Sequence, residues 1–364
     1  MSVFSVAMVR FILYAKERIC YYLSMDFTTF TAGKDDEGRR FDRVIKRIIL
    51  SETISSPIYK AMRKGLIKLN GKKGSENDRV CAGDEIKIAS FLLAGQSSTP
   101  NEQRESEERA NAEKKKFLEE HTILKTADFL IINKPYDISV QGGKENLCDI
   151  VSSVYNNARE AAANTSLSFR AGALHRLDRK TTGIQVFSQS LEGAKWFSQA
   201  IKTHIIKKTY IAIAQGKLEK SEKWIDFIDD SEEEEQKKSK NFHTVRLFSK
   251  PTQCAKEAIT TAIPLAYGTY KGKDVTLIEY KIETGRKHQI RAQSSFHGYA
   301  LLGDTAYGAQ KIAESQSHFL HAYRLTFPKD TIFGLPEHID APIMTNFEKM
   351  LVKILIKWSN VTII

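Results

Sequence analysis

Residues 94–116, AGQSSTPNEQRESEERANAEKKK, carry no large apolar side chain, and no other stretch restricts the fold of this chain as strongly. A hydrophobic core cannot run through such a segment, because burial of apolar surface is what drives folding. The sequence on either side must build its own core, and a linker between two bodies is predicted here. The chain has 364 residues, enough for two domains. The predicted boundaries are a small domain at 26–93, the linker at 94–116 and a large domain at 117–350. Residues 1–25 are expected to be an extension or a misassigned start, with Met25 as the alternative start. Arg10, Lys16 and Arg18 interrupt their apolar run, and no basic region precedes it, which argues against a secretory signal. An organellar transit peptide is the weaker reading of the same residues.

A hydrophobic content of 41% with 10% aromatics excludes a wholly disordered chain. The net charge of +11 points to a polyanionic partner, of which nucleic acid is the commonest. Cys20, Cys81, Cys148 and Cys254 form no CxxC motif, so they are read as ordinary thiols in a reducing, cytoplasmic compartment. No apolar run reaches 18 residues, and no membrane span is expected. Residues 226–240, an acidic run followed by a basic one, are expected to be a solvated insertion without chemistry.

The surplus charge is concentrated in one region. Between residues 39 and 73 stand Arg39, Arg40, Arg43, Lys46, Arg47, Lys60, Arg63, Lys64, Lys68, Lys72 and Lys73, against only Asp42 and Glu52. Arg40, Arg43 and Arg47 recur at helical spacing, while Phe41, Val44, Ile45 and Ile48 fill the opposite face. A second helix from Ile58 to Lys64 ends at Gly65 and places Arg63 and Lys64 at its end. A one-sided cationic face suits phosphate contacts. Residues 27–90 resemble the small RNA-binding domain shared with a ribosomal small-subunit protein, the S-four domain. The likeness rests on Arg40-Phe-Asp-Arg43, Ile67-Lys-Leu-Asn-Gly71 and Gly83-Asp84-Glu-Ile.

The large domain reads as many strands with few regular βα alternations. Phe129–Pro135, Ile184–Phe187, Lys208–Ala214 and Val275–Ile282 are predicted strands, and Ser190 is a predicted helix N-cap. The chain is therefore expected to be α+β, with a mixed, mostly antiparallel sheet flanked by helices in the large domain and a small α/β domain before it.

Between residues 120 and 330 the ordered segments resemble the RluA/RluC group of pseudouridine synthases. They are Asn133-Lys-Pro135, His175-Arg-Leu-Asp178 with Thr181-Thr-Gly183, Lys208-Thr-Tyr210, Gly285-Arg-Lys-His-Gln-Ile-Arg291, Gly303-Asp304 with Tyr307-Gly308, and Leu320-His-Ala322. Three positions depart from the pattern: Thr182 stands where Ser is usual, Asp137 where Gly is usual, and Gln293 where His is usual. The turn Val140-Gln-Gly-Gly143 is nearer to the RluC branch than to the RluD branch.

The resemblance implies a pseudouridine synthase fold and conversion of uridine to its C-glycoside isomer, with no cofactor or metal. It implies Asp178 as the catalytic carboxylate, Arg291 as its cationic partner and Tyr210 as the ring that stacks on uracil. His175 and Arg176 are expected to support the flipped-out nucleotide, and Arg176, Arg179 and Arg286 to contact RNA. Arg40, Arg43, Arg47, Arg63 and Lys64 are expected to dock the basic domain. His288 and His321 are read as structural, and Gly285, Gly303 and Gly308 as turn formers.

The expected partner is large-subunit ribosomal RNA, with a monomer as the default state. A tRNA substrate is the nearest rival, and an idle RNA-binding or assembly protein is the rival from another class. A glycosidase would need a second carboxylate, and Asp304, the one available, reads as part of a Gly-Asp turn.

Overall fold

A computed structural model describes residues 26–49, 55–93, 101–143, 145–160, 166–167, 169–231, 244–312, 317–329 and 331–354. The expected extension at 1–25 lies outside them. The chain divides into two compact units. One comprises Met1–Ala112 with Asn157–Arg170, and the other Glu113–Asn156 with Ala171–Ile364.

In the first unit, β1 (Phe27–Thr31), β2 (Ile67–Leu69), β3 (Lys72–Lys73) and β4 (Glu85–Ala89) form an antiparallel sheet in the order β1-β4-β2-β3. Helices α1 (Phe41–Ile48) and α2 (Ser55–Arg63) bury Phe41, Val44, Ile45, Ile58 and Met62 with Ile67, Ile86 and Ile88. The amphipathic spacing read from the sequence accounts for this packing. Gly65 follows the second helix at φ 73, the left-handed conformation that glycine adopts without strain.

The same unit contains a segment that the expected boundaries assigned to the large domain. Asp36 is buried. Its Oδ2 accepts the amides of Gly33 at 3.0 Å and Leu167 at 2.7 Å, and its Oδ1 accepts the Ser166 hydroxyl at 3.0 Å. Arg170 donates to the Arg47 carbonyl at 3.0 Å. The bonds to Ser166 and Leu167 and from Arg170 join residues over a hundred positions apart, and local pattern carries no trace of them.

The expected linker is helical from Asn101 onward, within α3 (Asn101–His121). Its lack of large apolar groups predicts a linker. However, Glu, Lys, Ala, Arg and Gln are strong helix formers, and Lys115–Glu119 and Lys116–Glu120 stand at the i,i+4 spacing.

The second unit holds an eleven-stranded sheet among the described residues. Its strands are β5 (Thr122–Lys125), β6 (Phe129–Lys134), β7 (Gly172–Ala173), β8 (Thr182–Ser188), β9 (Lys207–Gln215), β10 (Glu222–Asp229), β11 (Arg246–Phe248), β12 (Lys256–Tyr270), β13 (Lys273–Ile282), β14 (Leu320–Thr326) and β15 (His338–Asp340). The main order is β11-β10-β12-β13-β9-β14-β8-β6-β5, with β7 paired to β8 and β15 to β14. Every pairing is antiparallel except β14 with β8, so the sheet is mixed and mostly antiparallel as expected.

The parallel pair β14–β8 needs close approach. A Cβ on Gly183 would stand 2.3 Å from the Ala322 carbonyl oxygen, and its φ of 103 also requires glycine. Helices α4 (Leu147–Glu160), α5 (Leu191–Lys202), α6 (Gln289–Phe296) and α7 (Thr345–Lys353) complete the described helices of this half of the sequence. Ser190 caps α5, its hydroxyl accepting the Gly193 amide at 3.0 Å.

The expected insertion at 226–240 starts too early. Residues 226–229 belong to β10, and Asp226 is buried there, bonded to Gln293 at 2.7 Å and His297 at 2.9 Å. A carboxylate at the head of an acidic run reads as solvated, whereas this one is satisfied inside the protein.

Candidate active site

Asp178 lies in the loop between β7 and β8, on the chain that enters the parallel pair. The Thr181 amide donates to the Asp178 carbonyl at 3.0 Å and closes the turn after it. Lys134, the last residue of β6, is wholly buried beneath this loop. Its Nζ donates to the carbonyls of Ile138 and Arg179 at 2.8 Å each and of Pro135 at 3.0 Å. Three acceptors match the three donors of an ammonium. Burial pulls the Lys134 pKa down to about 7, and the charges of Asp178 and Asp137 oppose it. The Lys-Pro motif therefore fastens the backbone that carries Asp178, a part its sequence did not disclose.

Arg291, in the first turn of α6, meets two carboxylates. It grips Asp304 bidentately, Nε to Oδ2 at 2.7 Å and Nη2 to Oδ1 at 2.9 Å, while Nη1 reaches Asp178 Oδ2 at 3.4 Å. The expected pairing of Arg291 with Asp178 is present, and it is the looser of the two contacts. Asp304 is 2% exposed and has both oxygens occupied, whereas the Asp178 side chain is 28% exposed. Asp304 thus anchors the arginine, and Asp178 is left open to a ligand. Burial lowers the Arg291 pKa, but the hydrogen bond and charge of Asp304, with the charge of Asp178, hold it above its ordinary value. Reading Asp304 as a turn former concealed this anchoring.

Tyr210 sits on β9, in register with Tyr280 of β13 and Ala322 of β14. Burial raises the pKa of its phenol, and the nearby Asp178 charge adds to the rise. Two histidines border the cluster. His288 Nε2 stands 3.7 Å from Asp178 Oδ2. Burial pushes His318 down to about 4, with the Arg291 charge adding and those of Asp304 and Asp178 opposing.

Other expected site residues fall differently. His175 faces the protein rather than RNA: its Nε2 accepts the Val186 amide at 3.1 Å and its ring stacks on Phe197 at 6.1 Å. Burial drives its pKa to about 3 and keeps the ring neutral, with the Lys208 charge adding. Its Nε2 is thus engaged inside the protein, and the expected support of a flipped nucleotide would have to come from the rest of the ring. Arg176 is exposed. Arg179 pairs with Asp137 at 3.0 Å, and Asp137, at φ 67, occupies a left-handed position where glycine would be unstrained. Arg286 is exposed and donates to the Glu257 carbonyl at 2.9 Å.

The remaining departures are absorbed by the fold. Thr182 Oγ1 bonds His321 Nδ1 at 2.8 Å. Gln293 is buried, accepting from Thr260 at 2.6 Å and donating to Asp226 at 2.7 Å. His321 is buried and neutral, its pKa lowered to about 4 by that burial, which fits its structural reading.

A central strand, a tethered loop and a helix start thus converge on one open carboxylate and one fixed guanidinium. The family model described as RNA pseudouridylate synthase matches residues 128–296, a range that holds Asp178, Tyr210 and Arg291. Over that range the chain is similar to the RNA pseudouridylate synthases.

Among relatives of this chain is a protein of Rickettsia conorii named ribosomal large subunit pseudouridine synthase C. It is 29% identical over 321 residues, spanning 86% of this chain and 96% of that protein. A protein of the same name from Vibrio parahaemolyticus is 26% identical, over 88% of this chain and 94% of that one. The solved structure of human RNA pseudouridylate synthase domain containing 4 matches with a TM-score of 0.53 at 20% identity. It covers 68% of this chain and 97% of the human one, and supports the pseudouridine synthase fold. Among the described residues no helix is long and apolar enough to cross a membrane.

Proposed function

We propose that this synthase isomerises uridines of large-subunit ribosomal RNA, with Asp178 as the nucleophile. The observation that carries the reading is the division of labour around Arg291: one carboxylate closed and bidentate, the other open beside it. Isomerisation breaks the N1–C1′ bond and joins C5 to C1′, and the hydrogen on C5 is exchanged for one on N1. The atoms balance without a redox partner. An oriented carboxylate serves such a reaction at the ribose carbon or at the uracil ring. Tyr210, near the start of β9, supplies a flat surface against a flipped base. The relatives' names supply the choice of large-subunit rRNA over tRNA. The protein is read as a cytoplasmic monomer.

Transcripts of large-subunit rRNA and of tRNA, each labelled with tritium at uracil C5, test this directly. Tritium release from the ribosomal transcript is expected. Release from tRNA alone would move the substrate, and RNA binding without any release would favour an assembly role.

The first unit, read as an S-four-type domain, docks the enzyme on RNA. Arg43, Arg47, Arg63 and Lys64 are exposed there. Arg40 is half-buried and held by Asp42, through Nε at 3.1 Å and Nη2 at 3.2 Å, so it serves the helix start as much as RNA. Replacing Arg43 and Arg47 together with Gln is expected to lower the salt dependence of RNA affinity, reducing the log–log slope by about 1–2 while kcat at saturating RNA holds. An unchanged slope in a salt titration would remove the docking role from this face.

A further inference from the structure

Two residues of the site stand in an arrangement that the reaction scheme has not used. His288 caps α6 in the left-handed conformation, φ 54, without any side-chain bond to the helix. For a non-glycine residue this backbone is sparsely populated, and it persists where the surroundings over-determine it. The turn before it is pinned: Gln289 Oε1 accepts the Arg286 amide at 2.9 Å and the Thr284 hydroxyl at 2.8 Å. His288 Nδ1 meets the Tyr307 hydroxyl at 2.9 Å, and Nε2 faces Asp178 Oδ2 at 3.7 Å. The Tyr307 hydroxyl also accepts the Val245 amide at 3.0 Å, and the Tyr307 ring lies against the Arg291 guanidinium, 4.9 Å from its centroid.

The donors and acceptors of this chain fit together in one way. A backbone amide only donates, so the Tyr307 oxygen must accept from Val245. Its own proton then has His288 Nδ1 as acceptor. At the other end of the imidazole stands a carboxylate, which only accepts, so the hydrogen must be on Nε2. The reverse tautomer would set a lone pair against Asp178 and leave the Tyr307 proton without a partner. Burial keeps His288 below its ordinary pKa, while Asp178 and Asp304 oppose it and Arg291 and Lys287 add to it. A neutral ring therefore has one proton to place. The same logic governs histidines whose tautomer is set by the bond at the far nitrogen.

We propose that Val245, Tyr307 and His288 form a directed hydrogen-bond chain that fixes the Nε2–H tautomer of His288 and so aims one oxygen of Asp178. His288 and Tyr307 are positioning residues for the isomerisation. This rests on the reading of Asp178 as nucleophile. The imidazole N–H and Arg291 both address Oδ2, which leaves Oδ1 for the attack.

Long-range proton–nitrogen NMR of protein labelled at histidine reads the tautomer without any activity. The His288 signal, assigned by its loss in His288→Gln, is expected to show a protonated Nε2 and an acceptor Nδ1. Tyr307→Phe keeps the ring on Arg291 and is expected to shift that signal toward a mixture of tautomers. Its kcat should fall about tenfold, with KM for RNA within about twofold, since a small misplacement of a reacting group has effects of this order. In His288→Gln the amide nitrogen reaches the place of Nε2, and activity within about threefold of the parent is expected. In His288→Asn the amide ends at the place of Nδ1, and a loss of about thirtyfold is expected despite a backbone that suits asparagine. Thermal melting of each variant separates misfolding from misplacement. A protonated Nδ1 in the parent overturns the proposal, as do Gln and Asn variants of equal activity and parental stability. If Asp178→Asn still released tritium, the nucleophile would be elsewhere, and the tautomer measurement would still stand or fall by itself.

Discussion

Asp178→Asn is expected to abolish tritium release, a loss of at least about a thousandfold, while RNA affinity stays within about twofold of the parent. The side chains have nearly the same volume, and the substitution removes only the charge and one acceptor oxygen. Asp178 makes its contacts with the protein at 3.4 Å to Arg291 and 3.7 Å to His288, both long, so little native stabilisation is lost. Arg291 keeps its bidentate bond to Asp304 and is not left as an uncompensated charge. Stability should change by no more than about 1 kcal/mol, as for many partly exposed ion pairs. Single-turnover release with a filter-binding isotherm and a melting curve measures all three. Retention of a tenth of the parental rate would remove Asp178 from the chemistry.

Arg291→Met is expected to behave in the opposite way toward stability. It strands the Asp304 carboxylate, 2% exposed, in a site built for a guanidinium. Breaking a buried pair by removing one partner costs about 3–5 kcal/mol. For a chain of this size that is a fall in melting temperature of about 4–7 °C. Activity should vanish as well, because Asp178 loses its cation and Tyr307 the guanidinium stacked on it.

Adding Asp304→Asn should restore much of the stability, because it removes the stranded charge, without restoring turnover. A single variant as stable as the parent at pH 8 would show that Asp304 does not depend on Arg291.

Much of the site was legible because motifs occur in a fixed order. Asp178, Tyr210 and Arg291 come from a loop, a strand and a helix, and the resemblance brought them to one place before any coordinates did. What stayed hidden were partnerships that a residue's own segment does not advertise. Asp304 forms a turn and also holds an arginine, and sequence displays only the turn. Lys134 reads as the end of a strand, yet it ties down a loop 45 residues away. His175 lies three residues before Asp178 in sequence, but its side chain turns to the Val186 amide. Asp226 was assigned to a solvated run because its neighbours are acidic, while Gln293 and His297, which satisfy it, lie far along the chain. The α+β architecture was readable from strand periodicity, since alternation and turn residues are local signals.

Engineers who wish to graft the basic first unit onto another protein should note where its chain lies. Cutting in the polar stretch after residue 93 would leave Asp36 without Leu167 and Ser166, and would remove the Arg170 side chain bonded to Arg47. The transplantable unit is thus two separate pieces of polypeptide, and a faithful transfer requires the return segment to travel with the front one, by circular permutation or by a short artificial bridge.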